Sequence, residues 1–496
     1  MLFPLTNDSR HCYINGKWRE GRGESLEVLN PSTNESLFTL GAASAQDVDD
    51  AVGAAWQAFR RGPWSSLTGI EKAKLLNSLA ALIRDNLEGL AELEAKNTGI
   101  PIRQSRFEVE SAAGHIEYFA GLAGKVEGMS TPVPGNRFAY TIREPLGVIG
   151  QSVPWNSPLK LMARGCAATL AAGNTLVIKP SAVACTTVLM FGKLIEQAGF
   201  PVGVVNIVPG PGRTTGAALV AHPGVRKLVF IGGTEGGREV LRAASENITP
   251  VLIELGGKGP IIVCEDVDID EAVKGVISQA FARQGEVCFA GTRLFLPGTM
   301  HDTFVQRLAA KLAAMKVGDA MDESTDMGPL ISKQHLASVM KHIENAKSEG
   351  AKLVGDGGQL ISGTKGNFMT PGLLVGASQD MRIAREEVFG PIIPVIPYTD
   401  IEDAIAMANA TEYGLASYVW ANDIRKAHTI AAKMESGNVF VNTYRYSSEV
   451  PFGGSKRSGY GREHGMEALR EHTQVKTILI GLDRWHDAVM DRESAA

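Results

Sequence analysis

Cysteine is scarce and poorly placed for cross-linking. Cys12, Cys166, Cys185, Cys264 and Cys288 are odd in number, widely scattered and never form a CxxC pair. That argues against a zinc site or a disulfide framework and suits a reducing, cytoplasmic setting. Long apolar runs are missing too. The most apolar stretch, 165–178, is interrupted by Thr169, Asn174 and Thr175 and is too short to cross a bilayer. The opening MLFPLTNDSRHCYINGKW has no basic region followed by an apolar one, so no secretory signal is expected in it. Neither sign of charge dominates. With 49 Lys plus Arg against 54 Asp plus Glu, a net charge of -5 leaves no basic field for nucleic acid and no acidic tail. Internal repeats and low-complexity segments are likewise absent.

What is there reads as an ordinary globular chain. Hydrophobic residues at 44% and charged residues at 21% exclude disorder and collagen. The 496 residues correspond to roughly three domain-sized units at about 150 residues each. A core of that size needs no staple. After Asn30-Pro31, Val48, Val52, Ala55 and Phe59, then Leu75, Leu79 and Leu82, recur at helical spacing. From Gly147 the rhythm changes. GVIGQSV, TLVIK, VVNIV, KLVFIG and VLIEL read as strands, separated by helical segments around 188–198 and 235–247. Such alternation means right-handed βαβ units and a doubly wound parallel sheet of the α/β class. A second α/β run starts near Pro260 with PIIVC, a helix at 268–281, TRLFL and a helix at 302–314, and continues to about Phe452. FAYTIREPL (138–146) and QVKTILIGL (474–482) have β character, fit neither run, and could pair into a small separate sheet.

Ligands of open α/β sheets sit at the carboxyl ends of the strands, so the chemistry is sought in those loops. After KLVFIG, the segment GGTEGG brings Gly232, Gly233, Thr234, Gly236 and Gly237 to a helix start, where backbone N–H groups can hold a phosphate. The fingerprint GxGxxG is absent, and a glycine-rich turn is often only a turn. Lys179 ends the strand TLVIK, either as a solvated lysine or as a cation reaching a ribose or phosphate. Cys288 lies in a glycine-containing loop, FARQGEVCFAGTR, whereas Cys166 and Cys264 sit in apolar runs and read as core. Glu254, at the end of an apolar strand before two glycines, is a loop anchor or a partly desolvated base. Asn156, between Pro154 and Pro158, is a turn residue or a donor to a developing oxyanion.

Together these segments resemble a known family. VPWNSPL, TLVIKPS, FIGGTEGG, ELGGKGP, GEVC, EEVFGP and PFGGSKRSGYGRE occur in the order and spacing of the NAD(P)-dependent aldehyde dehydrogenase superfamily, across essentially the whole chain. The resemblance implies that Cys288 is the nucleophile, Glu254 the general base and Asn156 the oxyanion donor. It implies NAD or NADP as cofactor, held by Val153, Trp155, Lys179, Ser181, Gly212, Gly232, Gly233, Thr234, Gly237, Leu255, Glu387 and Phe389. Glu463 matches a carboxylate that relays protons to the base in some members. The implied architecture is a dinucleotide-binding domain at 1–124 and 147–257 and a catalytic domain at 258–456. An oligomerisation element with the C-terminal tail, at 125–146 and 457–496, completes a homodimer or homotetramer.

Several positions depart from the family pattern. Ala182 stands where strict NAD users place a Glu, so NADP is expected to be tolerated. Gly233 replaces a frequent Ser, and Glu286 replaces Gln two residues before the nucleophile and is expected to face away from it. Gly165 occupies the place of a relay lysine, which puts the relay role of Glu463 in doubt. Arg164 falls where simple-aldehyde members carry an aromatic residue. With Arg445, Ser447 and Ser448 it is expected to border the aldehyde tunnel and to favour a substrate with a carboxylate or polar acceptor at its far end. Against this, a second arginine that some succinate-semialdehyde enzymes carry is Ala282 here, and aromatic-aldehyde members share the arginine at 164. General aliphatic or aromatic aldehyde oxidation, a coenzyme-A-acylating dehydrogenase, a thiol esterase and a non-catalytic scaffold are the competing readings.

Overall fold

The apolar runs between 147 and 255 are strands because both of their faces are covered by helices, which is why they read as continuous rather than alternating hydrophobics. The computed structural model describes residues 10–482. Its first sheet runs, in spatial order, Lys17–Arg19, Cys12–Ile14, Val205–Ile207, Thr175–Lys179, Val148–Ser152, Lys227–Ile231, Val251–Glu254 and Gly459–Tyr460. The five strands from Val205–Ile207 to Val251–Glu254 are parallel, and both edges are closed by antiparallel partners. From Val148–Ser152 the chain winds outward through Thr175–Lys179 and Val205–Ile207. It then returns to the other side through Lys227–Ile231 and Val251–Glu254. The order therefore reverses beside Val148–Ser152, which opens a crevice at the carboxyl ends of the central strands.

The second sheet has the order Lys352–Leu353, Gly372–Val375, Ile392–Tyr398, Gly291–Pro297, Gly259–Val263, Ala416–Trp420 and Asn438–Val441. Only its first strand is antiparallel. The two outlying β segments pair with each other. Arg137–Pro145 and Thr473–Gly481 lie antiparallel over their whole length, with Phe138 opposite Ile480 and Tyr140 opposite Ile478. Phe138, Val475, Leu479 and Ile480 are exposed on this small sheet. Among the described residues no helix is long and apolar enough to cross a membrane.

Two expectations need correction. The N-terminal segment is not helical from Pro31. The hairpin Ser25–Leu29 with Ser36–Gly41 precedes the first helix, Ala45–Arg61, whose start is set by a Ser44–Asp47 capping box. Short edge strands offer too little alternation to be read from sequence. The segment from 457 is also not one oligomerisation element. Gly459–Tyr460 closes the first sheet, the helix Gly465–Glu471 packs on the helix Pro158–Ala171, and only Thr473–Gly481 joins the small sheet. The rest of the expected tail, 483–496, lies outside the described residues.

The helix Pro158–Ala171 matters most for the site. It starts two residues after Asn156, and every residue in it is buried, including Lys160 and Arg164. A helix apolar on nearly all sides belongs in the interior. Its two cations are carried inside with it and must find partners there.

Candidate active site

Cys288 follows the helix Ile269–Ala280 and a tight turn, Ala282–Gly285. In that turn Arg283 and Gln284 hold φ of +51° and +57°, left-handed values that cost non-glycine residues about 1–3 kcal/mol each. Three contacts hold the turn against that strain. The Arg283 N–H donates to Gln104 Oε1 at 3.0 Å, and its guanidinium donates to Glu108 at 3.2 Å and to the Asn156 carbonyl at 2.9 Å. Cys288 is half-buried, whereas the other four cysteines are fully buried. Burial raises the Cys288 thiol pKa, the Arg164 cation draws it back down, and the Glu254 carboxylate pushes it up again. Burial pushes Cys12 and Cys185 up to about 12 and Cys264 to about 11. Such thiols are inert near neutral pH.

Asn156, beyond the strand Val148–Ser152, and Glu254, from another strand of the first sheet, both act on the Cys288 loop. The Asn156 carboxamide Nδ2 donates to the carbonyl of Glu286, two residues before Cys288, at 2.9 Å. A carboxamide held in this way keeps a second N–H for a further acceptor. Glu254 closes the strand Val251–Glu254 and is 2% exposed. Its Oε1 accepts from the Gly454 N–H at 3.3 Å, and its Oε2 is buried without a hydrogen-bond partner. Burial pushes its pKa up to about 8, in spite of the opposing Arg164 and Arg462 cations and the Gly454 N–H. A carboxyl poised there can take and release a proton near neutral pH.

The crevice beside them fits a dinucleotide. The helix Thr234–Glu246 is capped by Gly233 with no side-chain acceptor, so the N–H groups of its first turn lack a side-chain cap. A side chain at Gly233 or Gly212 would meet open space. The Lys179 Nζ donates to the Gly210 carbonyl at 3.3 Å, and burial lowers its pKa to about 8. Free donors at a helix start, open glycines and a lysine at the next strand end suit the phosphates and ribose of such a molecule. Gly232 donates its N–H to the Glu254 carbonyl at 3.0 Å, tying the loop to the end of the strand Val251–Glu254. At Gly237 a Cβ would stand 2.6 Å from the Leu255 side chain, so glycine is needed for helix and strand to close. Val153 donates its N–H to the Lys179 carbonyl at 2.9 Å, and Ser181 bridges to Ala184 just beyond that strand. Trp155 meets Phe389 edge-on with centroids 5.3 Å apart, and Phe389 holds φ +57°. Glu387 accepts the Gly257 N–H at 3.1 Å, and burial raises its pKa to about 7.

On the opposite side of Cys288 lies a cavity of about 1220 Å³ whose lining includes Val287, Phe289 and Tyr418. Arg445, Ser447 and Ser448 line it, and the Ser448 hydroxyl lies 2.7 Å from His115 Nδ1. Arg164 is not part of that lining. It forms a buried ion pair with Glu463 and lies 4.9 Å from the Phe452 ring centroid, with Nε and Nη1 left unpartnered. Of the four residues expected at the aldehyde tunnel, Arg164 is thus the one whose face of the helix is turned towards Glu463. Gly165 explains why no lysine stands next to it. A Cβ there would lie 2.6 Å from Gln151 Nε2, which donates to the carbonyls of Leu161 and Met162. The cation facing Glu463 comes from one position earlier. Glu286 accepts the Ile331 N–H at 2.9 Å and lies 3.7 Å from His335, turned away from the thiol.

Sequence reasoning missed Lys160, Glu108, Arg283, His115 and Tyr446, which line the same cavity. The one available signal was a lysine inside PLKLMARGCAATLA, an otherwise apolar run. Nothing local marks Glu108 or His115.

The chain is similar to known proteins over nearly its whole length. The profile of the aldehyde dehydrogenase family matches residues 18–478. The betaine aldehyde dehydrogenase of Bacillus subtilis (strain 168) is 40% identical over 477 residues, covering 95% of this chain and 97% of that protein. The human retinaldehyde dehydrogenase 3 is 41% identical over 475 residues, covering 95% and 92%. The solved NAD+ complex of an aldehyde dehydrogenase from Bacillus cereus superposes with a TM-score of 0.94 at 38% identity, over 96% of this chain and 97% of that one. The chain belongs to the aldehyde dehydrogenase family.

Proposed function

We propose that the protein oxidises an aldehyde to the carboxylic acid on Cys288, with NAD as hydride acceptor. The observation that carries this reading is the convergence on one half-buried thiol. Asn156 is tied to its loop through the Glu286 carbonyl, and Glu254 and Arg164 both act on its charge. The Cys288 thiolate adds to the aldehyde carbon, and the carbonyl oxygen takes the negative charge. The free N–H of Asn156 stabilises that oxygen, an effect worth roughly 3 kcal/mol for a well-placed donor. Bound NAD supplies the acceptor for the hydride that leaves the same carbon, and the carbon remains on Cys288 as a thioester. Glu254 takes a proton from water, the hydroxide adds to the thioester, and the acid departs as the thiolate is restored. Glu254 favours hydrolysis over transfer to coenzyme A.

The cytoplasm suits a chain whose five cysteines are all free. The exposed Phe138, Val475, Leu479 and Ile480 on the small sheet support assembly into a homodimer or homotetramer. A panel of aldehydes with NAD, followed by absorbance of the reduced cofactor and by product analysis with and without coenzyme A, tests the reading. Ester hydrolysis without any aldehyde-dependent cofactor reduction would overturn it in favour of a thiol esterase.

A further inference from the structure

We infer that Lys160 recognises the far end of the substrate, and that the substrate is an aldehyde bearing a carboxylate a short chain away from the reacting carbon. This rests on the reading that Cys288 is the nucleophile and that the cavity beside it receives the aldehyde. Lys160 is the third residue of the helix Pro158–Ala171 and lies four positions beyond Asn156. Lys160 thus sits in the first turn of the helix that the Asn156 segment leads into. Lys160 is 4% exposed and lines the cavity.

Around it, two buried cations are set against one buried carboxylate. Lys160 Nζ lies 3.2 Å from Glu108 Oε1, and the same oxygen also takes Arg283 Nη1 at 3.2 Å. The other oxygen of Glu108 accepts the Ser157 hydroxyl. Two buried cations thus share one carboxylate. Glu94, which acts electrostatically on Glu108, does not serve Lys160, because it is turned to the Thr187 hydroxyl. The two cations are not equivalent. Arg283 has a second acceptor in the Asn156 carbonyl at 2.9 Å and so belongs to the scaffold of the nucleophile turn. Lys160 instead stands 5.0 Å from the Tyr446 ring centroid and 5.9 Å from that of Phe107, both cavity residues. A buried cation that shares its carboxylate with a second cation is further stabilised by an incoming carboxylate and gains nothing from a methyl group. Arg164 cannot take this role, since Glu463 holds it away from the cavity.

The test compares 4-oxobutanoate with butanal, chains of equal length that differ at the far end. We expect the wild type to favour 4-oxobutanoate in kcat/KM by at least about tenfold. Lys160→Met should erase that ratio, mainly through KM, and Lys160→Arg should retain it in part. With wild-type protein alone, succinate should slow alkylation of Cys288 by iodoacetamide, and succinamide should not. This arm decides the matter if the Met variant does not fold. Equal efficiency on both aldehydes, an unchanged ratio in a folded Lys160→Met, or equal protection by succinate and succinamide would each overturn the recognition role. If neither aldehyde nor any other reduces NAD, it is the reading of Cys288 as a dehydrogenase nucleophile that fails.

Discussion

The two sides of Cys288 are built in opposite ways. On the dinucleotide side the work is done by backbone: an uncapped helix start at Gly233, open glycines, and a strand end at Lys179. On the aldehyde side it is done by charged and aromatic side chains from distant parts of the chain, with Glu108, Lys160, Arg283 and Tyr446 meeting around one cavity. A backbone cradle accepts any ligand of the right phosphate geometry, because its donors are N–H groups that every residue carries. A charged wall discriminates, but each member depends on its partners, since a buried charge left alone is costly. Substitutions between the two sides should therefore differ in kind.

The largest effect is expected at the junction. Cys288→Ser should lower turnover by more than about ten-thousandfold with the fold intact, because the serine stays protonated near neutral pH. Cys166→Ala, in the buried core, should keep the chemistry. Circular dichroism and steady-state rates check both, and a fully active serine variant would move the nucleophile elsewhere.

Next comes Glu254→Gln, which should slow turnover by about a hundredfold or more while sparing the first round of cofactor reduction. Rapid mixing should show a burst followed by a slow phase. The pH dependence has a definite sign. Burial raises the Glu254 pKa to about 8, so the base form grows as pH rises through that value and is lost below it. The wild-type kcat should climb through about pH 8, and the Gln variant should lack that limb. A burst that vanishes with turnover would place Glu254 in an earlier step.

A third substitution sharpens the contrast between scaffold and recognition. Arg164→Leu strands the buried Glu463 without its cation, and stability should fall by about 3–5 kcal/mol in denaturant titrations. Carboxylated and unsubstituted aldehydes should lose efficiency alike. A selective loss with the carboxylated one would return Arg164 to the substrate site.

The smallest effect is expected in the cradle. Ala182 is uncharged and packs against the core next to the Lys179 strand, so NADP should be used within about a thousandfold of NAD. Ala182→Glu should shift the ratio further towards NAD by about tenfold, through repulsion of the 2′-phosphate. A wild-type ratio above a thousandfold would mean that another group excludes that phosphate.

The strands between 147 and 255 and the helices between them were legible because buried parallel strands leave continuous apolar runs bounded by turns. The same holds for Gly232, Gly233 and Thr234, where the uncapped helix start is a local stretch of backbone. Cys288 stood out from its fellows by its loop, and the structure leaves it as the half-buried one of five. The N-terminal strands were not legible, since three-residue strands such as Cys12–Ile14 and the edge strand Lys17–Arg19 have no period to read and exist only because the sheet accepts them.

What the sequence by itself determined, then, is whatever a short stretch of chain can encode: the alternating strands and helices, the glycine turns and the candidates for the chemistry. Only the tertiary structure decided where the charges point. Arg164 and Lys160 lie one turn apart on one buried helix, yet the first is taken by Glu463 and the second faces the cavity beside Glu108. Their spacing says that they share a region of the interior. Which of them meets a ligand depends on carboxylates about 300 and 50 positions away, because electrostatic pairing acts through space and leaves no periodic trace along the chain.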